Sequence, residues 1–109
     1  MIRALAFGAL PAVIPPTRPM AIRILSPGHT VLASGEIQVS EEGNTIYVTD
    51  REVVLTFSKH GQVDRIEYDI PQRFGGSVGY QSLDVGRAEP GSTITLYFME
   101  RHRLLGTGE

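Results

Sequence analysis

The sequence predicts an all-β fold, a small sandwich or barrel of about seven to eight strands, with an extended N-terminal arm. Three observations predict it. The chain has 109 residues, of which 41% are hydrophobic, which suits a single domain with its own core. Short segments alternate apolar and polar residues with a period of two. Twelve glycines and seven prolines separate these segments, as turns do.

Residues 1–19 are predicted to form the arm. Four of the seven prolines lie within residues 11–19, where they disfavour a helix and favour extended chain. The large apolar side chains of this segment need a covering surface, either on their own domain or on a neighbouring molecule. They are Phe7, Leu10, Val13 and Ile14. The basic, apolar start also resembles a signal peptide, although Pro11 interrupts the apolar run.

Residues 20–105 are predicted to form the β-domain, and residues 106–109 a frayed end. A first strand starts at Met20, and its apolar positions continue at Ile22 and Ile24. Residues 26–29 read as a turn. A hairpin is predicted around the turn at 41–44, because the segments 37–40 and 46–48 alternate in phase.

Residues 52–58 are the strongest predicted strand, since they are rich in β-branched and aromatic residues. A turn at 59–62 with a left-handed Gly61 is expected to return the chain into a strand at 62–70. A bulge is expected near Asp64, and Pro71 is expected to end that strand. A glycine-rich loop at 74–80 and a short strand at 80–85 follow.

Residues 93–99 form the last long predicted strand, after a type II turn with Pro90 and Gly91 at its centre. Its inward positions are Ile94, Leu96 and Phe98. The opposite positions, Thr95, Tyr97 and Met99, are also partly apolar, which predicts a strand covered on both faces. Residues 100–105 either continue this strand or form a second arm.

No residue pattern indicates an enzyme, and we predict no catalytic, cofactor-binding or metal-binding residues. The chain has no cysteine, and its three histidines lie in separate segments without ligand spacing. The net charge is −2, and residues 36–109 carry seven basic and twelve acidic side chains. This balance argues against nucleic-acid binding, and no apolar run is long enough to cross a membrane.

Protein partners are therefore the expected ligands. Tyr47 and Tyr97 point away from the predicted core face, which makes them candidates for an interface. Arg18 belongs to the basic front of the chain, where residues 1–35 hold three arginines and no acid. The predicted partner-binding residues are Phe7, Leu10, Val13, Ile14, Arg18, Tyr47 and Tyr97.

An arm joined to a small β-domain resembles small bacteriophage virion proteins, such as capsid decoration (cement) proteins or connectors. This resemblance implies a non-enzymatic structural protein of the virion that forms homo-oligomers and has the major capsid protein as a partner. The alternative is a small secreted ligand- or carbohydrate-binding β-module that uses the 74–80 loop, with Phe74 and Tyr80 in the site. A cytoplasmic location is also open.

Overall fold

A computed structural model describes residues 16–74, 78–82 (as backbone) and 86–106, and it confirms the all-β class. Its regular structure is β apart from one 3₁₀ turn, Gln72–Phe74. The strands are β1 Thr17–Leu25, β2 Val31–Glu42, β3 Thr45–Val48, β4 Glu52–Thr56, β5 Gly61–Gln62, β6 Arg65–Asp69, β7 Val78–Ser82, β8 Arg87–Ala88, β9 Thr93–Tyr97 and β10 His102–Leu105.

Six strands form one antiparallel sheet, in the order β10-β3-β2-β1-β6-β7, which curls into a half-barrel. β1 starts at Thr17, three residues before the predicted start, because residues 17–19 pair with Gln38–Ser40 on β2. β6 pairs with β1 only from Ile22 onward. Pro19 is therefore tolerated, since one edge of β1 has no strand partner at that point.

The predicted hairpin around residues 41–44 is confirmed. Glu42 pairs with Thr45 across the turn between β2 and β3, and Gly43 has a φ of 63°, which glycine adopts without strain. β10 pairs with the outer edge of β3, so residues 102–105 are an edge strand of the main sheet. Both expectations for residues 100–105, a continuation of the strand at 93–99 and a second arm, are therefore wrong. Strand β7 lies at 78–82, slightly earlier than the predicted 80–85.

The predicted hairpin between residues 52–58 and 62–70 is wrong. β4 pairs with β9 in a two-stranded ribbon, and β6 lies between β1 and β7 in the main sheet. Gly61 does not have the positive φ that the expected turn needs. It belongs instead to β5, which pairs with β8 and interrupts the chain between β4 and β6. The expected irregularity at Asp64 falls in this interruption, where its N–H donates to the carbonyl of Leu25.

The ribbon and the main sheet share one apolar core. The alternating positions predicted to point inward are buried on both, including Ile22, Ile37 and Leu96. Gly35 on β2 allows the ribbon to approach, since a Cβ atom there would lie 2.4 Å from Leu55 Cδ2 on β4. Contact between ribbon and sheet leaves the outer face of the ribbon turned away from the core.

Candidate interaction surface

Strand β9 has an unpaired edge in the described part of the chain. Its partner β4 binds the other edge, as the N–H of Phe57 donates to the Ser92 carbonyl and the N–H of Phe98 donates to the Arg51 carbonyl, both at 2.9 Å. Hydrogen-bonding direction alternates along an antiparallel strand. The backbone N–H and C=O groups of Thr93, Thr95 and Tyr97 therefore point to the open edge.

The outer face of the ribbon exposes large apolar side chains beside this edge. Val54 is 55% exposed, Tyr97 75% and Met99 70%. Thr95, opposite Val54 in the register, lies between them on the same face. The expectation that this strand is covered on both faces is therefore wrong for the residues that the structure describes. We call the open edge of β9, together with its own outer side chains Thr95 and Tyr97 and the following Met99, the β9 surface; Val54 lies beside it on β4.

The β9 surface lacks the devices that usually protect an edge strand. Residues 91–99 contain neither a charged residue nor a proline, whereas exposed edges commonly carry lysine, proline or a bulge. The edge strand β10 provides a comparison within the molecule, because it carries His102 and Arg103 and follows Arg101. An uncharged, β-branched edge is a template for pairing with another strand.

Tyr47, the other tyrosine predicted to bind a partner, is half-buried, and its ring is covered. The Arg101 guanidinium lies 4.0 Å from the ring centroid and also donates to both carboxylate oxygens of Glu42. The hydrogen bond to Glu42, followed by one to Tyr47, raises the pKa of Arg101. This cluster fixes the turn before β10, where Arg101 has a φ of 53°. Its observed contacts are structural.

Arg18 lies where the arm enters the sheet, and its side chain is half-exposed. It donates from Nε to Glu41 Oε2 at 2.6 Å. Arg73 also contacts Glu41, whose side chain is only 10% exposed. The two arginines therefore neutralise a nearly buried carboxylate at the end of the half-barrel. The other predicted arm contacts, Phe7, Leu10, Val13 and Ile14, lie outside the described residues and stay predictions.

A groove of about 360 Å³ opens beside Arg18, between residues 18–21 of β1 and residues 69–72. It lies where β1 and β6 diverge, because their pairing stops at Ile22 and Tyr68. The backbone of β1 is thus accessible immediately after the arm.

Side chains with catalytic or metal-binding chemistry are dispersed in the described part of the chain. No group of three or more histidine, cysteine, aspartate or glutamate side chains there could hold a metal ion. His29 Nδ1 lies 2.6 Å from an Arg65 nitrogen, and the His102 ring packs edge-on against Phe98. The predicted absence of catalytic, cofactor and metal sites stays a prediction.

The predicted loop at 74–80 is wrong at both ends, because Phe74 ends the 3₁₀ turn and residues 78–80 belong to β7. Residues 75–77 and the Tyr80 side chain lie outside the described part, so the ligand site predicted there stays a prediction. Phe74 is half-buried against the core, and the Arg73 guanidinium lies 5.2 Å from its ring centroid. A shallow cavity of about 280 Å³ adjoins Phe74, lined in part by Asn44 and Leu105.

The described residues include no helix with the length and apolar character needed to cross a membrane.

Comparison with known proteins adds no assignment. No family model, curated protein or solved structure matches this chain.

Proposed function

We propose that this chain is a non-enzymatic structural protein that assembles with other protein subunits, including copies of itself. The observation that carries the proposal is the β9 surface, an uncharged strand edge flanked by exposed Tyr97 and Met99. Such an edge is costly to leave in water, because it exposes apolar area and invites unspecific pairing. Burial in a protein contact removes both costs.

The arm supplies a second contact in this proposal. Because residues 17–19 belong to β1, the arm is shorter than predicted and ends before that strand. Residues 1–15 contain one charged residue, Arg3, and β1 pairs with β2 along its whole length. Fully extended, fifteen residues reach about 50 Å, enough to cross a neighbouring subunit of this size. The arm is therefore apolar, weakly basic and joined to a firmly held strand. The net negative charge of residues 36–109 favours its docking on the body of another copy.

We extend the proposal to a class of assembly. A small β-domain with an arm and an open strand edge fits a bacteriophage capsid decoration (cement) or connector protein, located in the virion. The major capsid protein would then be a second partner besides copies of this chain.

The arm is tested by charge substitution in the full chain. One variant replaces the large apolar side chains with aspartate: Phe7→Asp, Leu10→Asp, Val13→Asp and Ile14→Asp. A matched control adds the same charge at small residues of the same arm: Ala4→Asp, Ala6→Asp, Ala9→Asp and Ala12→Asp. Sedimentation equilibrium over a concentration series measures self-association, and far-UV circular dichroism checks folding.

We expect the first variant to associate more weakly than the control, because it loses apolar contact area in addition to gaining charge. Equal association of the two variants would remove the apolar arm from the proposal. A full chain that stays monomeric at every concentration would contradict assembly with itself altogether.

A further inference from the structure

We propose that β9 pairs with β9 of a second copy of this chain, antiparallel and around a twofold axis at Thr95. Two β4–β9 ribbons would then join into one four-stranded sheet. This inference rests on the proposed function, since it names a partner for the β9 surface. It involves a surface separate from the arm, so the two can be tested separately.

The hydrogen-bonding register carries the inference. The groups that point to the open edge belong to Thr93, Thr95 and Tyr97, as the bonds between β4 and β9 determine. An antiparallel copy centred on Thr95 sets Thr95 opposite its own equivalent and Thr93 opposite Tyr97. These are the positions at which two strands exchange both backbone bonds. The edge is thus complementary to itself, as a twofold contact requires.

The side chains agree with this register. Each exposed Tyr97 ring meets the small side chain of Thr93 on the other copy, so a large residue lies beside a small one. No like charges face each other, because residues 91–99 carry none.

The arm is a poorer occupant of this edge. Residues 11–19 hold four prolines, which lack the N–H that a ladder requires. The proline-free residues 1–10 include three alanines and one glycine, which strands disfavour, and the charged Arg3. β9 contains neither a proline nor a charged residue. The observations therefore favour a second β9, and the arm remains as one outcome of the test.

Two variants with opposite charges at Thr95, the residue on the proposed twofold axis, test the pairing in the full chain. In a dimer of either variant alone, Thr95→Lys or Thr95→Glu, two like charges lie directly across the axis. Each variant alone should weaken self-association by roughly tenfold, because charges about 5 Å apart repel strongly even near a surface. An equal mixture of the two variants should restore association, since Lys then faces Glu.

Val54 provides the matched control. It lies directly opposite Thr95 on β4 and is 55% exposed on the same face. In the proposed dimer, the two Val54 positions are three strand spacings apart, about 14 Å, which is beyond the Debye length of about 8 Å at physiological salt. Val54→Lys should therefore change association only slightly.

A cross-link tests the same geometry without charge. The chain contains no cysteine, so Thr95→Cys introduces a single thiol. Hydrogen-bonded antiparallel positions have Cα atoms about 5.5 Å apart, within the range that a disulfide spans. Under oxidising conditions Thr95→Cys should form a covalent dimer, whereas Val54→Cys, at about 14 Å, should not.

The possible results distinguish this inference from the arm proposal. Unchanged association of both Thr95 charge variants overturns the twofold pairing. Weakened association that the mixture fails to restore also overturns it, and indicates that another segment, such as the arm, occupies the edge. If the mixture of Thr95 variants restores association and the two arm variants associate equally, the β9 pairing is retained and the arm contact is rejected.

Discussion

Gly35 allows the ribbon to pack on the main sheet, and substitution there gives a quantitative test of the fold. In Gly35→Ala the new Cβ would lie 2.4 Å from Leu55 Cδ2, against the 3.5–4.0 Å of ordinary carbon contacts. Leu55 is only 5% exposed, so it must move by roughly 1 Å within a packed core. Overpacking of this kind costs about 1–3 kcal/mol, and removing a strand glycine returns about 0.5–1 kcal/mol.

The double variant isolates this contact. Leu55→Ala alone should cost about 2–5 kcal/mol, because it leaves a cavity. In Gly35→Ala/Leu55→Ala the clash disappears and the added methyl fills part of that cavity. The double variant should therefore be more stable than the sum of the single effects, by about 1–3 kcal/mol. Urea unfolding followed by circular dichroism measures all four free energies. Additivity within about 0.5 kcal/mol would refute the packing of β4 on β2.

The remaining predictions concern a turn and a buried tyrosine. Gly91 has a φ of 87° in the turn before β9, so Gly91→Ala should lower the free energy of unfolding by about 1–2 kcal/mol. Gly28→Ala, in a turn without positive φ and with its nearest neighbour at 3.9 Å, should change it little; equal thermal unfolding would contradict this. Burial raises the pKa of Tyr68 from 10.0 to about 12. Between pH 10 and 12 the unfolded chain loses this proton first, so stability should fall as pH rises, by up to about 2–3 kcal/mol. Urea unfolding of Tyr68→Phe across that range should show a smaller fall, and an identical pH dependence would reject the shift.

Local features of the fold could be predicted from the sequence. Alternation identified the inward positions of β1 and β9, and Met20 and Phe98 are buried as expected. The turns at Gly43 and Gly91 were also predictable, since both glycines have the positive φ that their turn types need. These features depend on residues close together in the chain, so one sequence contains enough information for them.

Strand pairing could not be predicted in the same way. The segment around Gly61 has the composition of a hairpin turn, which favoured pairing of β4 with β6. β4 pairs instead with β9, far along the chain, and Gly61 approaches Leu32, whose Cδ2 would lie 3.0 Å from an added Cβ. Nothing in the period-two pattern specifies which of several compatible strands is adjacent. Tertiary packing decides between them.

The two tyrosines predicted to bind a partner, Tyr47 and Tyr97, also show which features depend on the tertiary fold and not on the local sequence. Tyr47 and Tyr97 look alike in the sequence, because each alternates with buried positions. The structure separates them, since Arg101 covers the Tyr47 ring while Tyr97 is 75% exposed. The covering residue comes from the turn before β10, which only the fold brings next to β3.

The difference between the predicted and the observed burial of the outer face of β9 is itself an argument for a protein partner. The outward positions of this strand are apolar enough to predict a strand covered on both faces, yet the described chain covers only the inner one. An uncharged edge and exposed aromatic and thioether groups are disfavoured on a surface that stays in water. The outward apolar positions of β9 therefore favour a protein contact on the face that one copy leaves exposed. In the pairing that we propose, β9 of a second copy occupies the backbone groups of the open edge, whereas the outer side chains Tyr97 and Met99 lie on a face of the joined sheet that a further protein contact, such as the arm, covers.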